Sequence, residues 1–181
     1  MKKLFVILIF LILTLINPVI ANENTTILDM QKNGDFFARI TLYKYVLRDL
    51  KMSPKQAKEF ANIDFNCVHA YKVDLNDDGK NEIIGYVSST YFLGSAGYLL
   101  FILRNDSKYT NITLTNFEPL YPIIIIPTRT NGYKNIIFYG SNANNFKLYI
   151  IKYNGQAYNN TEQTEALHQY LKDFANYDIS K

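Results

Sequence analysis

The residues best equipped for chemistry lie together in Asp74-Leu-Asn-Asp-Asp-Gly-Lys-Asn-Glu82. Oxygen-bearing side chains fall at loop positions one, three and five (Asp74, Asn76, Asp78), a glycine at six and a carboxylate at nine (Glu82). Calcium takes six to eight oxygen ligands at about 2.3–2.6 Å, and a short acidic loop bent by glycine supplies them. The expected set for one ion is the side chains of Asp74, Asn76, Asp78 and Glu82 with the carbonyl of Lys80, while Asp77 faces solvent. The same residues also suit a polar hairpin turn without metal, because Asp, Asn and Gly favour turns.

Further along, an EF-hand requires a bidentate acid at position twelve and helices on both sides. Position twelve is Gly85 and the flanking sequence is β-like, so that architecture is excluded. Other chemistry is sparse, and no catalytic residue is assigned. Cys67 and His69 stand two apart on a strand, about 6–7 Å along the backbone, too far to couple as nucleophile and base; they read as a buried cysteine and a satisfied histidine. His168 reads as part of a solvated helix face. With two histidines in the chain, a zinc site would need carboxylates to complete it, and no metalloprotease spacing is present. Gly94-Ser95-Ala96-Gly97 lacks the lysine of a phosphate loop and the Gly-x-Ser-x-Gly of a nucleophile elbow, and reads as a tight turn.

The elements that must position the loop follow from periodicity. Apolar residues at Ile27, Met30, Phe37, Ile40, Tyr43 and Leu47 give one helical stripe over Asn24 to Leu50, with a break at Gly34. Ser53-Pro54 starts a short helix to Asn62. From Phe65 the period becomes two, placing strands up to Val73 and over Ile83–Ser89, Tyr98–Leu103, Tyr109–Leu114, Ile123–Ile126, Tyr133–Tyr139 and Phe146–Tyr153. Asn105-Asp106, Asn131-Gly132 and Asn154-Gly155 supply turns. Thr161 caps a last helix, Glu162 to Ala175, with Ala166, Leu167, Tyr170, Leu171 and Phe174 on its apolar side. The expected fold class is α+β: N-terminal helices, a central antiparallel sheet of roughly six to seven strands, and a C-terminal helix. In domain terms, a helical segment 22–64 and a β-rich core 65–181 form one globular domain, 22–181.

Composition bounds the setting. Lys2-Lys3, apolar Leu4 to Ile16, Pro18 and Val19-Ile20-Ala21 have the order of a secretory signal peptide, residues 1–21, cleaved after Ala21. An uncleaved signal-anchor is the other reading. The apolar run stops short of the about 20 residues of a membrane span, so no stable span is expected after cleavage, and the protein is expected to be periplasmic or secreted. The formal charge of +3 includes Lys2 and Lys3 and falls to about +1 without them. No basic cluster remains to track a phosphate backbone, so nucleic acid is not an expected partner. Cys67 is the single cysteine, so no intrachain disulfide staples the fold. The 15 tyrosines include many on strands, and an exposed subset would suit recognition of a protein or glycan.

From Phe65 to Tyr158 the chain resembles small exported bacterial proteins of unknown function that carry an FG-GAP/VCBS-like Asp-x-Asn-x-Asp-Gly calcium loop. The matching segments are Asp74 to Glu82, Gly94 to Gly97, Asn131-Gly132-Tyr133 and Tyr153 to Tyr158. Many relatives flank the Gly-Ser-Ala-Gly turn with cysteines, where this chain has Leu93 and Tyr98. The resemblance implies a strand-joining calcium loop and brings no catalytic residues. The resulting expectation is a non-enzymatic binding module of the cell envelope. A periplasmic inhibitor of a cell-wall hydrolase, inserting Ser95 to Tyr98 into a cleft, is the alternative. A weak hydrolase comes third and would need two carboxylates about 5–9.5 Å apart.

Overall fold

Two antiparallel sheets and a helical layer stack on one another in the computed structural model, which describes residues 25–29, 34–93, 98–113, 119–142 and 145–163. The first strand, β1 (Thr26–Leu28), is followed by helices α1 (Phe36–Leu50) and α2 (Pro54–Ala61). Strands β2 (Val68–Val73), β3 (Glu82–Val87), β4 (Phe101–Arg104) and β5 (Thr110–Asn111) form one sheet in chain order. Strands β6 (Pro119–Thr130), β7 (Tyr133–Asn142), β8 (Asn145–Tyr153) and β9 (Tyr158–Gln163) form the other, with β1 on its first edge. A parallel bridge between Thr113 and Tyr158 links the two sheets. Among the described residues no helix is long and apolar enough to cross a membrane.

The four-stranded sheet is the middle layer, and alternation assigns its two faces. Val68, Ala70, Ile83, Val87, Phe101 and Leu103 pack with Ala38, Leu42, Val46, Ala57 and Ala61 of the helices. Ile84, Tyr86 and Ile102 face the five-stranded sheet and meet Ile123, Ile125, Ile136, Phe138 and Ile151. Every residue of β3 is buried, as a strand covered on both faces must be. Gly85 is the seat for α1: a Cβ there would lie 2.8 Å from Leu42 Cδ2 and would strike the backbone carbonyl of His69. Only a glycine allows so close an approach.

Both helices begin where local chemistry directs. Asp35 caps α1 by accepting from the Ala38 amide at 2.8 Å, and Ser53 caps α2 through a capping box with Gln56. Asn62 ends α2 in the left-handed region at φ +50°. The Asn131-Gly132 turn has φ of +50° and +85°, as a two-residue hairpin of this type requires.

Several expectations are corrected. The stretch from Asn24 is not helical at its start: Thr26–Leu28 pairs with Ile123–Ile125 as a strand. Within α1 the buried positions are Ala38, Arg39, Leu42 and Val46, one residue out of step with the expected stripe, so Phe37 is 64 % exposed. Strand formation continues through the prolines of β6, because register shifts between Leu120 and Ile123 and between Ile126 and Arg129 fall at Pro122 and Pro127. A bulge relieves the missing amide donor there. Instead of one sheet of six to seven strands there are sheets of five and four, since β3 is apolar on both faces and a single sheet with helices would cover only one. Thr161 is not a helix cap: Thr161, Glu162 and Gln163 pair with Ile151, Ile150 and Tyr149, the open edge of β8 having taken them as a strand. The remainder of the expected C-terminal helix, the expected signal peptide and the Gly94–Gly97 turn lie outside the described residues. Leu93 and Tyr98, the two positions flanking that turn, pair antiparallel.

Candidate metal centre

Leu75 anchors the loop between β2 and β3. It is fully buried in the core between the sheets, its amide donates to Glu82 Oε2 at 3.0 Å, and its carbonyl accepts from the Lys134 amide at 2.7 Å. Around this anchor the polar side chains turn inward onto the loop's own backbone. Asp74 Oδ2 accepts from Gly79 N at 3.0 Å, Asn76 Oδ1 from Asp78 N at 3.2 Å, and Asp78 Oδ1 from Lys80 N at 2.7 Å. Asp77 and Gly79 hold φ of +57° and +80°, which makes the tight reversal. The alternation of oxygen side chains read from the sequence is therefore a structural alternation too.

Of the loop's acids Glu82 is buried, Asp74 is half-buried, and Asp77 and Asp78 are exposed. Glu82 opens β3 and is 1 % exposed. Burial is the main cause pushing its pKa above the ordinary glutamate value. Amide hydrogen bonds from Leu75 and Asn105 act in the other direction, and the charges of Asp78 and Asp74 push it higher. Asp74 Oδ1 is buried and has no hydrogen-bond partner. A buried carboxylate oxygen without a donor costs about 1–3 kcal/mol or more, and a cation beside it would remove that cost.

Asp77 is exposed, as expected, and also forms ion pairs with Arg129 and, at 2.6 Å, with Lys134. Lys134 Nζ also donates to the Asp74 carbonyl at 2.9 Å, and Asn76 Nδ2 reaches Tyr133 Oη at 3.4 Å. The β6–β7 hairpin thus grips the loop from the opposite sheet. Arg129, Tyr133 and Lys134 carry no local signal of this role, because the contact joins residues more than fifty positions apart. Their nearness to the recognisable Asn131-Gly132 turn was the available clue.

The donor set fits a hard cation. Asp74, Asn76, Asp78 and Glu82 carry oxygen side chains of the kind such a cation takes, and Asp77 is paired with Arg129 and Lys134. Among the described residues no three His, Cys, Asp or Glu side chains gather closely enough to hold a metal by themselves. A cation here would also draw on Asn76 and on main-chain carbonyls such as that of Lys80, as calcium does in short loops.

The remaining candidates resolve into structural roles. Cys67 is partly buried, and its thiol donates toward Asp64 Oδ1 at 3.5 Å and the Asn62 carbonyl at 3.7 Å. His69 stacks flat on Tyr86, with ring centres 4.5 Å apart. Ser88, not singled out from the sequence, lies 3.3 Å from His69 Nε2, but its hydroxyl donates to the Cys67 carbonyl at 3.0 Å. Among the described tyrosine side chains Tyr91 is exposed, whereas Tyr86, Tyr153 and Tyr158 are buried. The exposed aromatic surface belongs mainly to the helical layer, at Phe36, Phe37 and Phe60. The chain matches no protein-family model, no curated protein and no solved structure.

Proposed function

We propose that the protein is an exported, non-catalytic binding module of the cell envelope whose loop holds one structural calcium ion, in the manner of FG-GAP/VCBS-like loops. The single observation that carries this reading is the partnerless buried oxygen of Asp74 beside the buried carboxylate of Glu82. The side chains of Asp74, Asn76, Asp78 and Glu82 and the carbonyl of Lys80 would hold the ion. Bound calcium supplies positive charge to an acidic set that includes the buried Glu82, and by binding the folded state alone it stabilises that state. Because Leu75, Tyr133 and Lys134 tie the loop to the second sheet, the ion would stiffen the junction between sheets.

Export is supported by the order of basic, apolar and small residues over 1–21. A partner of protein or glycan type is supported by Phe60 and Phe37, 74 % and 64 % exposed, since aromatic side chains left in water are characteristic of recognition surfaces. The test is a thermal melt with excess calcium and then with chelator, repeated on Asp78→Ala. A calcium-dependent rise in the midpoint that Asp78→Ala abolishes is the expected result. Equal midpoints in calcium and chelator would reduce Asp74–Glu82 to a polar turn and remove the basis for the reading.

A further inference from the structure

Arg39 carries a charge for which the described part of the fold supplies no acid. It stands in the opening turn of α1, where the helix dipole disfavours a cation, and it is 9 % exposed. Nε donates to the Val68 carbonyl at 2.8 Å and Nη2 to the Phe65 carbonyl at 2.9 Å. The guanidinium lies 4.3 Å from the centre of the Phe65 ring. Among the described residues no carboxylate pairs with it. Asp35 and Asp64, the acids beside its contacts in sequence, are taken by Lys72 at 3.3 Å and Lys58 at 2.6 Å. The two carbonyls occupy one edge of the guanidinium and leave Nη1 without a hydrogen-bond partner. Nη1 is not sealed in, because among the described residues Asp74 Oδ1 is the sole buried side-chain N or O atom in that condition. An aromatic rim adjoins it: Phe36 meets Phe65 edge-on at 5.7 Å and Phe37 at 5.8 Å, and Phe36 and Phe37 are exposed.

We propose that this open edge of Arg39 is a docking site for an acidic side chain of a partner protein. Arg39 takes the carboxylate through Nη1 and the second hydrogen of Nη2, a planar fork that suits a carboxylate bidentately. Apolar residues beside that acid lie on Phe36 and Phe37. Three arguments select this occupant. One uncompensated positive charge calls for one negative charge, and burial of the cation strengthens the pairing over one at an open surface. Phenylalanine rings carry neither donor nor acceptor, so the neighbours of the anion must be apolar; an acidic sugar would leave its hydroxyls unpaired against them. A buried cation near a helix N-terminus, without a counter-ion, is also the kind of local inconsistency that natural chains keep at functional sites. The inference rests on the binding-module reading and narrows its partner from protein or glycan to protein. It needs no calcium.

Titration of the isotope-labelled full chain tests it, in chelator, with two peptides blocked at both ends, Phe-Glu-Leu and Phe-Gln-Leu. The NMR signals of Arg39 Nε–H and of the Phe36 and Phe37 amides report binding. The glutamate peptide is expected to move all three and to bind about ten-fold more tightly than the glutamine peptide, as a hydrogen bond to a charged group requires. Phe36→Ser, at an exposed position, is expected to weaken that binding with the melting midpoint little changed. Arg39→Lys keeps the charge without the fork and is expected to weaken it as well. Equal binding of the two peptides overturns the proposal. If trigalacturonate moves these signals and the glutamate peptide does not, the occupant is an acidic glycan; the proposal is then overturned while the binding-module reading stands. Silence of both probes at millimolar concentration overturns it too, and the calcium melt of the same sample reports separately on the loop. Should Arg39→Lys fail to fold, the peptide pair and Phe36→Ser still decide the matter.

Discussion

Replacing Glu82 by glutamine separates two roles of one carboxylate, because the substitution keeps the shape and removes the charge. Burial dominates the environment of Glu82, over the opposing amide hydrogen bonds of Leu75 and Asn105. A carboxyl group whose folded pKa is raised contributes stability that is fully present below its unfolded value and lost as pH rises through the folded value. At neutral pH without calcium, the charge of Glu82 is therefore a cost. In chelator Glu82→Gln should melt above the wild type at neutral pH, and the two should converge below about pH 4. Calcium reverses the order. A calcium module of the extracellular class has a Kd of about 10⁻⁴ to 10⁻³ M, so about 10 mM calcium stabilises the folded wild type by roughly 1.4–2.7 kcal/mol. For a domain of this size each kcal/mol moves the midpoint about 2–4 °C, giving a rise on the order of 3–11 °C that Glu82→Gln should largely lose. Melts followed by circular dichroism, at neutral and acid pH, with calcium and with chelator, read all four conditions. A glutamine variant that melts below the wild type in chelator at neutral pH would refute the reasoning, since the charge would then be stabilising through its amide partners.

Leu42→Ala empties the seat of α1 on Gly85 and should cost about 2–5 kcal/mol in urea unfolding, because Leu42 is fully buried. Gly85→Ala should cost about 1–3 kcal/mol or more by overpacking. Combining it with Leu42→Ala relieves only the Leu42 contact, since the His69 carbonyl is backbone and cannot turn aside; an additive pair in the unfolding cycle would contradict that geometry. Asp35→Ala should cost about 1 kcal/mol by loss of the α1 cap. The Ala38 amide is the leading cause of a lowered Asp35 pKa, so this loss is full above the ordinary aspartate range and fades as pH falls through the folded value, which melts across that range would follow. Phe60→Ser, at a 74 % exposed position, should leave stability within about 0.5 kcal/mol in the same unfolding assay.

The sequence by itself determined what is settled within a few residues of chain. Ser53-Pro54 makes a helix start, Asn131-Gly132 a hairpin and Asp74 to Glu82 a glycine-bent loop of inward oxygens, because caps, left-handed dihedrals and side-chain hydrogen bonds act over short separations. The helix, strand and loop types around the loop follow from the same local preferences. Tertiary structure decided the rest. Thr26–Leu28 and Thr161–Gln163 became strands because open edges at β6 and β8 offered backbone partners, and pairing outweighs local helical spacing. Asp77 is paired at the surface because Arg129 and Lys134 arrive from the second sheet, and Phe37 rather than Ala38 was exposed because Gly85 admits Leu42 so closely. The division of the nine strands among the described residues into two sheets has the same origin. A strand apolar on both faces needs two covers, and which distant segment provides each cover is fixed only when the whole chain is packed.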